Sequence, residues 1–410
     1  MKTIRPLVFG LAFTWFATPI ACAADDIVDF QVQELPVQLQ VGYAVRTIDI
    51  NADGRLDVAI VDSKRVLWLE NPTWATHIVY ETPAAKFDNV CFAPHDINGD
   101  GRVDLALGSD WQANNSDSGG SIGWLEHTDS GPWTYREFAT EPTTHRMNWV
   151  DIAGTGTPQL VVAPLKGRGS RAPGFEQTPL RLLAFEPSSN AADGTWGRSV
   201  LTDQLHVMHN FEVTDLDDDG NADLITASYE GVNWLRFNNT GATDSKLTIK
   251  HIGSGQVEAP PKRGSSEIRR GKLADGRNYI ATIEPWHGDK VVVYIAPEDW
   301  QKQAELWPRF VLDEELAWGH AIAIANLDDD ADQELVIGVR DDKSNLENHR
   351  CGVRIYDPID ADSGKWNRQI VDPGGVAVED LVTADLDNDG DHDIIAVGRA
   401  THNAKIYWNQ

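Results

Sequence analysis

The sequence predicts an all-β chain closed into a seven-bladed β-propeller, and three observations predict it. A short acidic phrase returns seven times, starting at 49, 96, 151, 215, 271, 326 and 385. Each clear return leads into a short apolar strand, and a further strand centred on an aromatic residue follows. No helical periodicity interrupts the pattern. A repeat spacing of 47 to 64 residues with four strands per unit describes propeller blades rather than a helical solenoid.

The phrase itself opens each unit. Four copies are complete: Asp49, Asn51, Asp53 and Asp57; Asp96, Asn98, Asp100 and Asp104; Asp215, Asp217, Asp219 and Asp223; Asp385, Asp387, Asp389 and Asp393. Oxygen ligands at alternate positions, a Gly for the turn and a later carboxylate suit a hard cation such as Ca²⁺. Asn326, Asp328, Asp330 and Glu334 form a degraded fifth copy, with Ala331 in place of the Gly. The returns at Asp151 and Gly271 keep the turn and lose the ligands. An EF-hand would need flanking helices and a Glu at its twelfth position. These loops lie between strands.

The strands come next. Leu56–Val61, Val103–Leu107, Leu160–Ala163, Leu224–Ala227, Leu335–Gly338 and Ile394–Val397 follow their loops. Trp68, Trp124, Phe185, Trp234, Tyr294, Tyr356 and Tyr407 mark the strands after those. Outer strands such as His77–Tyr80 and Arg309–Leu312 lead to the next repeat. The last repeat stops after its third strand, whereas Val28–Leu35 precedes the first repeat as an unassigned strand. That segment is expected to complete the last blade and leave no open edge.

These loops and strands resemble the FG-GAP and VCBS repeat families across nearly the whole chain. The resemblance implies a calcium-bearing seven-bladed propeller and is nearly silent on function. Related repeats occur in integrin-like adhesion domains, polysaccharide lyases and aldos-2-ulose dehydratase, which makes a propeller sugar lyase one concrete expectation.

Residues 1–23 read as a secretory signal: Lys2 and Arg5, an apolar run from Leu7 to Phe16, then Ala21-Cys22-Ala23. Residues 24–410 are expected to form one domain, secreted or periplasmic. Cys22 raises a lipid-anchored alternative; Pro19, where such signals prefer Leu, argues against it. Cys91 and Cys351 fall in different repeats and read as free thiols. The net charge of −28 becomes −30 once Lys2 and Arg5 leave. Such a field repels nucleic acid and favours a neutral sugar unless a local basic patch overrides it. No later segment is apolar enough to cross a bilayer, and the oligomeric state is open.

The sharpest functional signal is an offset. In a propeller the first strand of each blade lines the channel, so residues at one distance before each loop share a height. Six back from the loop starts stand Tyr43, Val90, His145, His209, Ser265, His320 and Glu379. The chain has 12 His in 410 residues, too few to expect three in seven matched places. His145, His209, His320 and Glu379 around a narrow channel would suit Zn²⁺ or another divalent metal with an open position. They would equally suit a metal-free acid/base cluster. Loops on the same face add Trp111, Lys166, Arg168, Tyr229, Glu230, Trp286, His287, Arg340, Arg399 and His402. Aromatic faces beside polar groups are what a sugar pocket needs.

Two classes of function follow. One is a lyase that eliminates from an oxidised or uronic sugar, with the histidines and Glu379 as base or metal ligands and Tyr43 or Tyr229 as acid. The other is a non-catalytic, calcium-stiffened adhesion module for glycan or protein. A hydrolase would need two flanking carboxylates, for which Glu230 and Glu379 are a weak pair. Nucleophile elbow, phosphate loop and paired-Cys zinc motifs are absent from the sequence.

Overall fold

Alternation of short apolar strands with tight acidic turns leaves the chain one way to bury itself: strands pair with their sequence neighbours, and the sheets stack. The computed structural model describes residues 28–128, 131–238, 246–340 and 351–410; the proposed signal segment lies outside them. The described residues form seven four-stranded antiparallel sheets. Blade one comprises Gly42–Ile48, Asp57–Asp62, Arg65–Glu70 and Ala75–Glu81, ordered from the inside outwards. Blades two to six begin at Cys91–His95, Thr144–Val150, Met208–Thr214, Ile268–Lys272 and Gly319–Ala325. Blade seven runs Val378–Ala384, Asp393–Gly398, Ala404–Asn409, and its outer strand is Phe30–Glu34.

That outer strand closes the ring. Phe30 pairs with Asn409 and Glu34 with Lys405, antiparallel throughout. Leu35 N–H extends the seam by donating to Ala404 O at 2.9 Å. The expected closure by Val28–Leu35 is made by Phe30–Glu34, which covers the edge of Ala404–Asn409 and gives the last blade its fourth strand.

Second strands are sandwiched on both faces by neighbouring blades, so Asp57–Asp62, Asp104–Ser109 and Asp393–Gly398 are buried at every position. This explains their unbroken apolar reading. Val61, Phe92, Leu107 and Met147 from three successive blades share one cluster. Val45 and Val58 mesh with Ile395 and Ile406 across the closure. Each such side chain contributes about 1.5–3 kcal/mol on burial. Outer strands are half-exposed and correspondingly mixed, as in Ala75–Glu81.

Polar clasps join the blades at the acidic-loop end. Asn71 Nδ2 donates to Leu386 O at 2.7 Å, Asn278 Nδ2 to Leu216 O at 2.9 Å, and Asn409 Nδ2 to Leu327 O at 2.8 Å. Each carbonyl belongs to the second residue of the preceding blade's acidic phrase. Loop geometry and blade stacking are therefore coupled.

Candidate active site

The channel residues are aimed by irregularities in the innermost strands. Strand pairing shifts register between Gly42 and Ala44, Thr144 and Arg146, Met208 and Asn210, Gly319 and Ala321, and Val378 and Asp380. The residues left unpaired are Tyr43, His145, His209, His320 and Glu379. A bulge turns a side chain out of the alternation of its strand. Five such bulges thus gather these five residues at one end of the channel.

His145, His209, His320 and Glu379 are all buried. His145 Nε2 lies 3.4 Å from His209 Nε2, and His320 Nε2 lies 4.0 Å from Glu379 Oε1. His287, expected only as a rim residue, sits among them with its Nε2 2.8 Å from His209 Nε2. It comes from the tight turn after Asn278–Glu284 and has a left-handed φ of 47°. A Cβ on the next residue, Gly288, would lie 2.0 Å from Glu284 O, so the turn admits no side chain there. His209, His287 and His320 each bring a ring nitrogen within 4.8 Å of the others.

The partners of these rings decide which nitrogen faces inwards. His320 Nδ1 is 2.6 Å from the Glu379 backbone O and must carry its proton there, leaving Nε2 with a lone pair. His209 Nδ1 is 2.6 Å from Glu267 Oε1, which sets the same tautomer. Three imidazoles whose ring nitrogens face one another across 2.8–4.8 Å, two of them with Nε2 lone pairs turned inwards, form the donor set a divalent cation takes. His145 differs, since Arg146 Nη1 stands 3.1 Å from its Nε2. Burial first, then nearby guanidiniums and the other rings, hold His145, His287 and His320 well below the usual imidazole range. His209 is also lowered by burial, against the pull of Glu267.

Three guanidiniums surround the cluster. Arg399 Nη1 is 2.7 Å from Glu379 Oε1, Arg340 Nε is 3.6 Å from Glu379 Oε2, and Arg146 Nη2 is 3.3 Å from Glu267 Oε1. Glu379 Oε2 has no hydrogen bond among the described residues. Burial opposes ionisation of Glu267, yet His209 and Arg146 bring it down to about 2. Two buried carboxylates thus face three arginines in a chain of net charge −28. The mouth is locally basic.

Other expected residues divide between mouth and rim. Trp111 stacks on His145 at 4.9 Å, and Trp286 tilts against His209 at 6.4 Å. A narrow cleft beside His209 is lined by Tyr229, Arg263, Ser265 and Trp286. Tyr43 donates to Asp88 Oδ2 at 3.1 Å, and Arg399 lies over its ring. Lys166 is buried, with Nζ 2.5 Å from Ala113 O and over the Phe175 ring; burial brings it down to about 8. Arg168 pairs with Glu141, Glu230 with His206, and the exposed His402 has Nδ1 2.9 Å from Gln40 O. Those three hold loops. Sequence reasoning missed Glu267 and Arg146, which lie just beyond the ring positions of blades five and three; a carboxylate two residues past Ser265 was the available signal. A groove of about 540 Å³ lined by Trp68, His77, His127 and Trp133 lies at the outer strands of blades one and two, apart from the channel cluster.

At the other end, the acidic loops fold as their spacing suggests. Asp49 accepts the N–H groups of Asp53 and Gly54 at 3.1 and 2.9 Å, and Asp215 those of Asp219 and Gly220 at 3.0 and 2.8 Å. Gly54, Gly101, Gly220 and Gly390 have φ of 87°, 86°, 84° and 109°, which is why that position is Gly. The ninth residues, Asp57, Asp104, Asp223 and Asp393, are buried and each accepts the N–H of the loop's second residue at 3.0–3.2 Å. Carboxylate oxygens of Asp215, Asp217 and Asp223 converge within 4.8 Å, as do those of Asp385, Asp387 and Asp389. Desolvation first, then neighbouring carboxylates, push Asp104, Asp223 and Asp393 up to about 6.

Residues 49–107 match the model for FG-GAP-like repeats. The chain is a seven-bladed β-propeller whose first acidic loops, in blades one and two, match FG-GAP-like repeats. Residues 119–297 of the propeller match the model for the aldos-2-ulose dehydratase β-propeller domain. That span carries His145, Arg146, His209, Glu267, Trp286 and His287, whereas His320 and Glu379 follow it. No curated protein matches the chain at a significant level. Among solved structures, it is similar to a chain of the mitotic checkpoint complex (10% identity, TM-score 0.54, 98% of each chain covered). It is also similar to BBS1N in its complex with ARL6DN (14%, 0.54, 93% and 97%) and to the Cps50 (Swd1) β-propeller domain of Myceliophteria thermophila (11%, 0.52, 93% and 100%). At these identities the likeness is one of fold alone. No helix among the described residues is long and apolar enough to cross a membrane.

Proposed function

We propose that this propeller is a secreted or periplasmic carbohydrate lyase that eliminates from an oxidised or uronic sugar at the histidine end of the channel. The observation that carries this reading is the buried cluster of His209, His287 and His320 beside Glu379, ringed by Arg146, Arg340 and Arg399. An adhesion surface has no use for buried ligand nitrogens whose tautomers are set by Glu267 and a backbone carbonyl. The match of residues 119–297 to the aldos-2-ulose dehydratase propeller domain supports a sugar substrate. The basic surroundings favour one that carries or develops negative charge, and here the local field overrides the chain's overall acidity.

His209, His287 and His320 would hold a divalent metal such as Zn²⁺, which supplies Lewis-acid polarisation of a carbonyl or carboxylate oxygen. In the elimination Glu379 Oε2 takes the proton α to that group. The C–H electrons become the C=C bond, the C–O bond at the β carbon breaks, and Tyr229 protonates the departing oxygen. Arg340 and Arg399 offset the enolate charge, and Trp111 and Trp286 offer faces to the sugar ring. At the opposite end, Ca²⁺ in the acidic loops would be structural.

The test is turnover of oxidised and uronic sugars, read by a conjugated, ultraviolet-absorbing product formed without uptake of water. His209→Ala, His287→Ala and His320→Ala should each lower the rate by about 10²- to 10⁴-fold with the fold intact, and metal content should fall with them. Saturated products would favour hydrolysis. Unchanged glycan binding with no turnover on any sugar would leave the adhesion reading standing.

A further inference from the structure

Trp318 stands at the histidine mouth with 52% of its surface exposed, and among the described tryptophans it alone is so open. It immediately precedes Gly319–Ala325, the innermost strand of blade six, and is two residues from His320. Its ring lies nearly parallel to that of His287, with centroids 6.1 Å apart and planes at 24°. The Arg340 guanidinium is 4.9 Å from its centroid. The indole is thus on the solvent side of the cluster, whereas Trp111 and Trp286 lie half-buried against His145 and His209.

A lone exposed apolar side chain is ordinary on a protein surface. This one is held on strained backbone. Trp318 has a φ of 61°, in the left-handed region that disfavours any residue with a Cβ. Its turn is pinned there: Leu316 N–H donates to Asp289 O at 3.0 Å, Gly319 N–H to Gly288 O at 3.0 Å, and Arg340 N–H to Trp318 O at 2.9 Å. Two of these bonds tie it to the turn that carries His287. Behind it, a Cβ at Gly319 would lie 2.7 Å from Leu316 Cδ1 and 2.9 Å from Ile283 Cγ2, so the turn cannot relax inwards. Strain that the surroundings over-determine clusters at ligand clamps. Here it holds a flat apolar face open to solvent beside the cluster.

We propose that Trp318 is a stacking platform for a second sugar unit, next to the one whose bond breaks, so that the substrate is an acidic oligosaccharide rather than a monosaccharide. This rests on the elimination reading and adds the substrate's length to it. The half-buried tryptophans serve the reacting ring, and the open face outside them meets its neighbour. A pyranose lays its C–H face on the indole and keeps its hydroxyls in water. The Arg340 charge beside the ring favours an acidic unit over a neutral one.

Calorimetry on the Glu379→Gln background, which keeps the shape of the site and removes the proposed base, compares the monomers and trimers of galacturonate and mannuronate. At least one trimer should bind more tightly than its monomer. Adding Trp318→Ala should weaken that trimer by about 3- to 10-fold, the worth of one aromatic stack, and leave the monomer unchanged. Trp318→Phe should keep most of the affinity. Trp318→Gly, which suits the left-handed backbone, should lose trimer affinity like Trp318→Ala yet melt no lower than the parent. Trimers that bind no better than monomers, or that ignore Trp318→Ala, overturn the proposal. An equal loss on monomer and trimer also overturns it, because a packing role would produce that. A parent that binds trimers through Trp318 but turns over no sugar sinks the elimination reading and leaves the platform standing.

Discussion

Glu267 shows how much of this site depends on residues that touch no substrate. Its carboxylate stands 2.6 Å from His209 Nδ1 and 3.3 Å from Arg146 Nη2, and it bonds Asn210 Nδ2. It therefore sets the tautomer that turns His209 Nε2 inwards. Replacing such a partner costs about 10- to 100-fold in metal affinity or activity, so Glu267→Gln should fall in that range without loss of fold. Metal titration of the variant, with its melting curve as control, checks this. Glu212 offers a test independent of the cluster. It accepts the Arg270 N–H at 2.6 Å, and burial, against the nearby Arg269 charge, pushes its carboxyl up to about 7. The folded chain then keeps a proton that the unfolded chain releases near pH 4.3 (about the ordinary Glu value). Stability must fall as pH rises from there to about 7. Glu212→Gln lacks that loss and should melt higher than the parent at pH 7.5 but not at pH 4.

At the scale of single elements, the bulged inner strands and the closing strand matter most. The offset of six before each loop was readable because the repeat is in the sequence. The bulges were not, since a register shift depends on the partner strand. His287 shows the same limit: it lies outside the first strands, and only the turn at Gly288 brings it to His209. Phe30–Glu34 was legible as a strand, and the ring closure supplied its partner. Deleting 28–35 removes the outer strand of blade seven and the Leu35 and Gln33 contacts, exposing the edge of Ala404–Asn409. Light scattering and refolding yield should report aggregation or failure to fold. A truncated protein that stays monomeric and equally stable would show that the seam contributes nothing.

For the whole molecule, the two ends of the ring differ in their side-chain chemistry. Acidic loops and asparagine clasps sit at one end; imidazoles and guanidiniums sit at the other. Chelator should lower the melting temperature while β content persists up to the transition. Each occupied loop would add about 2.7 kcal/mol at a hundred times its dissociation constant. An unchanged melting temperature in excess chelator would remove calcium from the account. The sequence by itself determined the blade count, the closure and the height of the ring, because repeats and strand periodicity are local patterns copied along the chain. It also placed His145, His209, His320 and Glu379 on one face. Only the tertiary structure decided that His287 completes the group, that Arg146 takes His145, and that Glu267 orients His209. His287 and Glu267 reach His209 from another blade, and Glu267 also draws in Arg146, 121 positions away; the energies of these contacts depend on burial and charge that exist only once the ring has closed.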